Sequence, residues 1–232
     1  IDAPDFNVTV EQHLHDAGIP TVHYVSPTVW AWRPKRVNKI RAAVDLLLSI
    51  FPFEQKFLQG HGVNTQYVGH TLAANLPVQV DRTAARNALN LDAEDKVLAI
   101  LPGSRSGEIT RLARPFLKTA LACLREIPDL RIVVPLVNTK TEQIWRGQQQ
   151  RYAPSLPIQI AMQNSPRAMA AADVLLVASG TATFEGLLSK RPMVVGYKLN
   201  ALTYWLVRLF KLVKVDHVAM ANLLSEERLA PE

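Results

Sequence analysis

The chain has 232 residues, of which 48% are hydrophobic and 20% charged, so it can bury a sizeable core in one large domain or two smaller ones. Its net charge of +6 favours an anionic partner but does not choose between nucleic acid, a phosphosugar and a lipid headgroup. The single cysteine, Cys123, excludes an intrachain disulfide framework and suits a reducing compartment. No Cys/His cluster has zinc-ligand spacing, and no apolar run reaches the roughly 20 residues of a membrane span. We therefore predict no structural metal.

The first part of the chain alternates short apolar runs with helical patterns. The predicted strands are Ile1–Asp5, Thr21–Val25, Leu46–Ile50 and Gln66–Val68. The predicted helices are Val8–Ala17, Pro34–Ala43 and Phe53–Gln59. This spacing indicates βαβ units and a parallel sheet. Because the chain opens without methionine, in what reads as a strand end, we expect it to be part of a longer protein.

A second alternating series follows Gly69–Val80, a stretch of little periodicity that suits an interdomain connection. Its predicted strands are Val97–Leu101, Ile132–Leu136, Ile158–Ile160, Val174–Val177 and Met193–Tyr197. Its predicted helices are Thr83–Leu89, Ile109–Ile127, Thr141–Tyr152, Ser165–Ala172 and Thr181–Ser189, with Pro115 predicting a kink or a later start in the second of them. The fold class is therefore α/β, with two Rossmann-like doubly wound domains at residues 1–75 and 76–232.

The stretch Ala178–Glu185 is the main candidate site, because it joins a buried strand to a helix through small residues. Such a turn directs backbone N–H groups and the positive end of a helix dipole at an anion. Gly180 allows close approach, the hydroxyls of Thr181 and Thr183 add donors, and Glu185 could accept from ribose hydroxyls. An ordinary helix N-terminus capped by Ser179 or Thr181 explains the same residues equally well.

A second strand-end turn, Leu101-Pro-Gly-Ser-Arg105, favours phosphate binding. Gly103 and Ser104 would present backbone and hydroxyl donors, and the guanidinium of Arg105 matches phosphate oxygens. The alternative is an exposed loop arginine. Because the Gly180 turn lies in the same domain, we favour phosphate binding over an exposed loop arginine.

Asp2 and Asp5 lie where an acceptor hydroxyl could be deprotonated, but an aspartate beside a proline turn often only caps that turn. By spacing alone, we favour the cap. His23 lies within a strand and is more simply a satisfied core histidine.

Trp30 and Trp32 precede a basic helix and could form an apolar wall for a ligand or anchor a loop. The basic run from Arg33 to Arg41 most simply forms a solvent-exposed helix face. The more specific alternative is that it binds an anionic membrane surface or a phosphorylated ligand. Single-stranded nucleic acid would require aromatic residues interleaved with these charges, so we expect no nucleic-acid partner.

The helical stretch Leu202–Val213 is strongly apolar and carries Arg208 and Lys211. It suits an interfacial helix in the headgroup layer, although a helix packed between domains with snorkelling cations fits equally well. Asn222 either caps the following turn or reaches a ligand.

Taken together, several segments resemble the lipid-A-disaccharide synthase family, glycosyltransferases of the two-Rossmann-domain (GT-B) type. The most distinctive is His23-Tyr-Val-Ser-Pro-Thr-Val-Trp-Ala-Trp-Arg33, and the resemblance covers essentially the whole chain. The other segments are Ile1–Asn7, Leu101–Arg105, Val133–Asn138, Ala178–Thr183 and Asn222–Leu224.

The resemblance implies transfer of 2,3-diacylglucosamine from UDP to the 6-hydroxyl of 2,3-diacylglucosamine 1-phosphate, with inversion to a β-1,6 bond and without cofactor or metal. It implies Asp2 as general base, which reverses the preference drawn from spacing. The implied donor-binding residues are Gly103, Ser104, Arg105, Ser179, Gly180, Thr181, Ala182, Thr183, Glu185, Tyr204 and Asn222. The implied membrane or acyl-chain contacts are Trp30, Trp32, Arg33, Leu206, Arg208, Leu209 and Lys211.

The family has further amino- and carboxy-terminal parts, so the first domain is expected to be incomplete here and these 232 residues to be inactive or poorly folded by themselves. The expected location is cytoplasmic, on the inner face of the bacterial inner membrane, with a homodimer among the partners. Two alternatives stay open: another GT-B enzyme of the UDP-N-acetylglucosamine 2-epimerase type, and a non-catalytic nucleotide- or membrane-binding module.

Overall fold

The computed structural model describes residues 3–32, 34–75, 79–198, 217, 219–225 and 228–232. The described residues form two compact units, residues 3–75 and residues 79–198 with 217–232. Within these ranges, no helix is long and apolar enough to cross a membrane.

The first unit contains a three-stranded parallel sheet in the order β1-β2-β3, formed by Val22–Tyr24, Leu46–Ser49 and Thr65–Tyr67. Its helices are α1 (Pro4–Asp16), α2 (Val29–Trp32), α3 (Val37–Ala43), α4 (Pro52–Gln59) and α5 (Thr71–Asn75), with a 3-10 turn at Pro34–Arg36. A buried cluster that includes Val37, Ile40 and Leu47 joins α3 to the sheet. On the strand β1, Val22 and Tyr24 are more than half exposed.

One strand prediction for this unit is wrong. Pro4 and Asp5 belong to α1 rather than to a strand, because proline lacks an N–H and has a fixed φ, which suits the first turn of a helix. The stretch Gly69–Val80, predicted as an interdomain connection, contains α5 and the boundary between the two units; the start of α5 is capped by His70, because the Leu72 amide donates to His70 Nδ1 at 3.0 Å.

The second unit contains a five-stranded parallel sheet in the order β6-β5-β4-β7-β8. The strands β4 to β8 are Val97–Leu101, Arg131–Leu136, Ile158–Met162, Val174–Ala178 and Met193–Gly196. The helices α6 to α11 are Arg82–Asn87, Ser106–Glu126, Thr139–Tyr152, Ser165–Ala171, Thr181–Leu188 and Met220–Leu224. The apolar strands β4 and β7 are covered on both faces by two buried clusters, as a parallel sheet requires.

The helix α7 begins three residues before the predicted Ile109 and runs through Pro115. The Glu108 side chain accepts from backbone amides at its start and completes a capping box. The later start predicted from Pro115 is therefore wrong.

The strand order of the second unit is doubly wound. The chain builds β4, β5 and β6 outward in one direction and then returns to place β7 and β8 on the other side of β4. In such sheets ligands bind beyond the carboxyl ends of the strands, at the point where the direction reverses. This point lies between β4 and β7.

Candidate functional site

A cavity of about 600 Å³ lies at the carboxyl ends of strands β4 to β7 in the second unit. Each adjoining connection contributes lining residues: Gly103–Arg105 after β4, Val137 after β5, Gln163–Pro166 after β6 and Ser179–Ala182 after β7. The cavity therefore occupies the switch point of the sheet, and it brings together the two glycine turns that the sequence singled out.

The turn after β7 presents backbone donors to the cavity. Gly180 is the N-cap of α10, at φ 128° and ψ −156°, a conformation that L side chains rarely adopt. The first amides of any α-helix lack partners within the helix, and here these are the amides of Thr181 and Ala182. Since both residues line the cavity, this helix start can receive an anion. The cap is Gly180, so the alternative of Ser179 or Thr181 as a side-chain cap is wrong.

The turn after β4 presents a cation, while its backbone amides are engaged by a carboxylate. The Arg105 side chain is 83% exposed and pairs loosely with Glu108, with 3.4 Å between Nη1 and Oε1. Glu108 Oε2 also accepts from the amides of Ser104 and Arg105, each at 3.3 Å. Gly103, at φ 105°, leaves room for this carboxylate, since an added Cβ would lie 2.6 Å from Glu108 Oε2. The carboxylate thus occupies donors that could otherwise hold a phosphate.

Glu185 lines the cavity one turn into α10 and is half-buried. Burial raises the pKa of its carboxyl group above the ordinary value, since a charged carboxylate is poorly solvated there. Its position suits the predicted acceptance of hydrogen bonds from ribose hydroxyls.

Two predicted donor ligands lie outside the cavity lining. Thr183 is 0% exposed, and its hydroxyl donates to the Gly180 carbonyl oxygen at 2.8 Å. Asn222 is 3% exposed, donates to Ala230 O at 2.8 Å and accepts from Ala230 N at 2.8 Å. Of the two roles considered for Asn222, this geometry favours the structural one.

The sequence reasoning missed Glu108 and the connection from Gln163 to Pro166. Gln163 has φ 51°, unusual for a residue other than glycine, at the carboxyl end of β6. Glu108 follows Arg105 at capping-box spacing, and this signal could have identified it.

The carboxyl ends of the strands in the first unit carry an aromatic cluster around a buried carboxyl group. Glu54 is 2% exposed and accepts from Trp30 Nε1 at 3.2 Å and from the Phe51 amide at 3.2 Å. The Phe53 ring meets Trp30 edge-on with 4.9 Å between ring centroids, and the ring of His70 lies 5.3 Å from that of Phe51. Trp30 therefore has a packed and hydrogen-bonded position, as a loop anchor requires.

Burial raises the pKa of Glu54 to about 7, outweighing the hydrogen bonds from Trp30 and Phe51, which favour the charged form. Burial also lowers the pKa of His70. His23, on strand β1, is 5% exposed, and its Nδ1 lies 2.7 Å from Glu11 Oε1, which confirms the assignment as a satisfied core histidine.

Several predicted residues fall outside the described parts of the chain. They are Asp2, Arg33, Tyr204, Leu206, Arg208, Leu209 and Lys211, together with the side chain of Trp32.

Two solved structures share the fold of the chain. S. aureus MnaA, in a co-structure with UDP, has a TM-score of 0.58 at 15% identity and is matched over 92% of this chain and 61% of that one. The UDP-GlcNAc 2-epimerase from Neisseria meningitidis bound to UDP-GlcNAc has a TM-score of 0.58 at 13% identity, over 94% and 63%. At these identities the likeness concerns the fold alone, and it agrees with the predicted pair of Rossmann-like sheets.

Curated relatives are much more similar in sequence. Lipid-A-disaccharide synthases from Haemophilus ducreyi and Pseudomonas paraeruginosa are 48% and 50% identical over the whole chain. The chain spans about three fifths of the length of these relatives, 59% and 61% respectively.

A model of the family described as lipid-A-disaccharide synthetase matches residues 1–232. Full-length coverage by this model, together with relatives of nearly half identical sequence, confirms the resemblance drawn from the motifs. The chain belongs to the lipid-A-disaccharide synthase family.

Proposed function

We propose that the intact protein transfers 2,3-diacylglucosamine from UDP to the 6-hydroxyl of 2,3-diacylglucosamine 1-phosphate. Inversion at the sugar carbon would give the β-1,6-linked lipid A disaccharide 1-phosphate and release UDP. Family membership supports the reaction. The main structural support for the donor site is the cavity of about 600 Å³ at the switch point of the second sheet.

The leaving group sets the main electrostatic demand. As the bond from the sugar to the diphosphate breaks, negative charge accumulates on the diphosphate. Arg105 provides an exposed guanidinium, and the amides of Thr181 and Ala182 provide donors at a helix start. These groups can stabilise departing UDP without a metal, and we propose that the enzyme uses neither a metal nor another cofactor. Glu185 would accept from the ribose.

The acceptor requires a base. We propose Asp2, which would take the proton of the 6-hydroxyl as its oxygen attacks the sugar carbon. The first part of the chain, residues 1–75, would face the acceptor, and residues 76–232 would hold the donor.

Acylated substrates favour a location at a membrane. We propose a cytoplasmic protein bound to the inner face of the inner membrane, with acyl chains or lipid near Trp30, Trp32 and Arg33. The stretch containing Leu206, Arg208, Leu209 and Lys211 would be its second contact. A homodimer is a further proposal, and no nucleic-acid partner is proposed.

The test is turnover of the full-length protein on the acylated UDP-sugar and the monosaccharide phosphate. Arg105→Ala should lower kcat/KM by about 100-fold or more, since it removes a charged donor to the developing anion. Arg111→Ala is the matched control, because Arg111 is exposed on α7, the helix that begins directly after Arg105, and does not line the cavity. Equal loss in both variants would contradict the assignment.

Asp2→Asn tests the base separately. Turnover should fall while UDP affinity stays within about 3-fold of wild type, because the carboxylate acts on the acceptor. Unchanged turnover would exclude Asp2 as the base. Turnover of bare UDP-N-acetylglucosamine alone would favour the 2-epimerase alternative.

A further inference from the structure

Thr183 lies directly behind the turn that presents amides to the cavity. Its side chain is 0% exposed, and the Gly180 carbonyl oxygen accepts both from its hydroxyl, at 2.8 Å, and from its amide, at 3.0 Å. The hydroxyl is therefore engaged with the turn itself and is not presented to a ligand.

The same hydroxyl is held from the other side by a distant part of the chain. The Met220 amide, at the first position of α11, donates to Thr183 Oγ1 at 3.0 Å. Because a hydroxyl has one proton, acceptance from Met220 directs that proton away from α11 and towards Gly180.

The helix α11 is itself fixed in place. The Asn222 amide group bonds to both backbone groups of Ala230, and Glu232 Oε2 accepts from the Ala219 amide at 2.8 Å. The Val195 amide donates to Pro231 O at 2.8 Å, which ties this segment to β8. The Met220 amide is therefore a rigid donor.

Orientation of the Gly180 carbonyl decides where the next amide points. In a planar trans peptide the C=O of one residue and the N–H of the next point in opposite directions. Pulling the Gly180 oxygen towards Thr183 therefore turns the Thr181 N–H away from α11 and outward at the helix start. Gly180, at φ 128°, offers little resistance of its own to rotation of this peptide.

We propose that Thr183 is a positioning residue for the donor diphosphate: its buried hydroxyl transmits the position of α11 to the Gly180–Thr181 peptide and aims the Thr181 amide at the ligand. The inference rests on the proposed donor site and reassigns Thr183 within it. We call the chain of hydrogen bonds from the Met220 amide through the Thr183 hydroxyl to the Gly180 carbonyl the relay. Asn222 supports it one step further from the cavity, because it holds α11 in place.

The first test compares Thr183→Val with Thr183→Ser in the full-length protein, with UDP affinity measured by calorimetry. Valine keeps the shape and loses the hydroxyl, so UDP should bind about 10-fold more weakly. Serine keeps the hydroxyl and should bind UDP within about 2-fold of wild type. A purely structural role would lower the unfolding temperature of the valine variant and leave the affinity of its folded form unchanged, which would overturn the proposal.

A second pair of variants keeps Thr183 intact. Met220→Pro removes the amide proton that is donated to Thr183, and Ala219, at φ −78° and ψ 129°, suits a residue before proline. The ring Cδ takes the place of the proton on the amide nitrogen, which lies 3.0 Å from Thr183 Oγ1, so the hydroxyl is displaced as well as deprived of its donor. This variant should also weaken UDP binding, whereas Met220→Leu, which keeps the amide, should not. Wild-type affinity in Met220→Pro would contradict the relay.

Turnover separates this inference from the proposed function. If wild type binds UDP but does not transfer the acylated sugar, the reaction is wrong and the Thr183 comparison still decides the relay. If wild type does not bind UDP, both proposals fail.

Discussion

Glu54 places a titratable carboxyl group in the interior of the first unit, next to Trp30 of the short helix α2. Its folded-state pKa of about 7 exceeds the ordinary value of 4.5, so the folded protein binds more protons between these two pH values. Stability from this group is therefore full below about pH 4.5 and decreases as the pH rises to about 7.

We expect the free energy of unfolding of the first unit to fall by an amount on the order of 3 kcal/mol across this window because of Glu54. Glu54→Gln should remove that slope, since an amide does not titrate, although it also replaces one acceptor with a donor. The measurement is urea unfolding from pH 4.5 to 8, with the exposed Glu94→Gln as control. A slope unchanged in Glu54→Gln would show that another group is responsible.

At the scale of single elements, two glycines have opposite requirements. Gly180 needs a positive φ at the start of α10, whereas Gly147 lies inside α8 with helical geometry. An added Cβ meets nothing within 4 Å at either position, so the difference between them is one of backbone conformation alone.

Gly180→Ala should cost about 1–3 kcal/mol and weaken UDP binding, because the turn must adopt a different conformation. Gly147→Ala should stabilise the protein by about 1 kcal/mol without altering UDP affinity, because alanine loses less entropy in a helix. Unfolding midpoints and UDP titrations of both variants check this. Equal effects on UDP affinity would contradict the role of the Gly180 turn.

Close packing of β8 and α10 gives a second prediction at this scale. An alanine at position 196 would place its Cβ 2.8 Å from Phe116 Cζ, and the ring is buried between α7 and the sheet. At position 186 the nearest atoms are the side-chain ends Leu175 Cδ1 at 2.9 Å and Met193 Cε at 3.0 Å.

Gly196→Ala should therefore destabilise by about 1–3 kcal/mol and by more than Gly186→Ala, because flexible side-chain ends can move and a buried ring cannot. Paired thermal unfolding curves measure the difference. A larger loss at position 186 would contradict this reasoning.

At the scale of the whole molecule, the net charge of +6 lies outside residues 1–75, where six basic and six acidic side chains balance, but five of those six basic residues are clustered between Arg33 and Arg41. Lys35, Lys39 and Arg41 are exposed, while Arg36 pairs with Asp5. Such an exposed basic surface is attracted to anionic lipid and is screened by salt.

We expect the full-length protein to bind vesicles containing anionic lipid, less strongly at higher salt, and to bind zwitterionic vesicles weakly. The double change Lys35→Ala and Lys39→Ala should weaken this binding by about 1 kcal/mol per residue. Lys118→Ala, exposed on α7, is the control in the other unit. Vesicle sedimentation measures the effect, and equal binding by all variants would remove these lysines from the membrane contact.

The sequence by itself determined the α/β class, the parallel strands and the two glycine turns of the cavity. These features follow from local causes: apolar runs between turn residues form buried strands, and glycine at a strand end allows a tight turn into a helix. The family likewise follows from the motifs, because they are contiguous stretches of sequence.

The tertiary structure decided which polar groups face the cavity. The Met220 amide and the Thr183 hydroxyl are 37 residues apart, and only the folded chain brings them together. Glu54 and Trp30 are 24 residues apart. The sequence does not tell whether a hydroxyl or carboxyl group faces a ligand or a neighbouring strand, because long-range packing determines its hydrogen-bond partners.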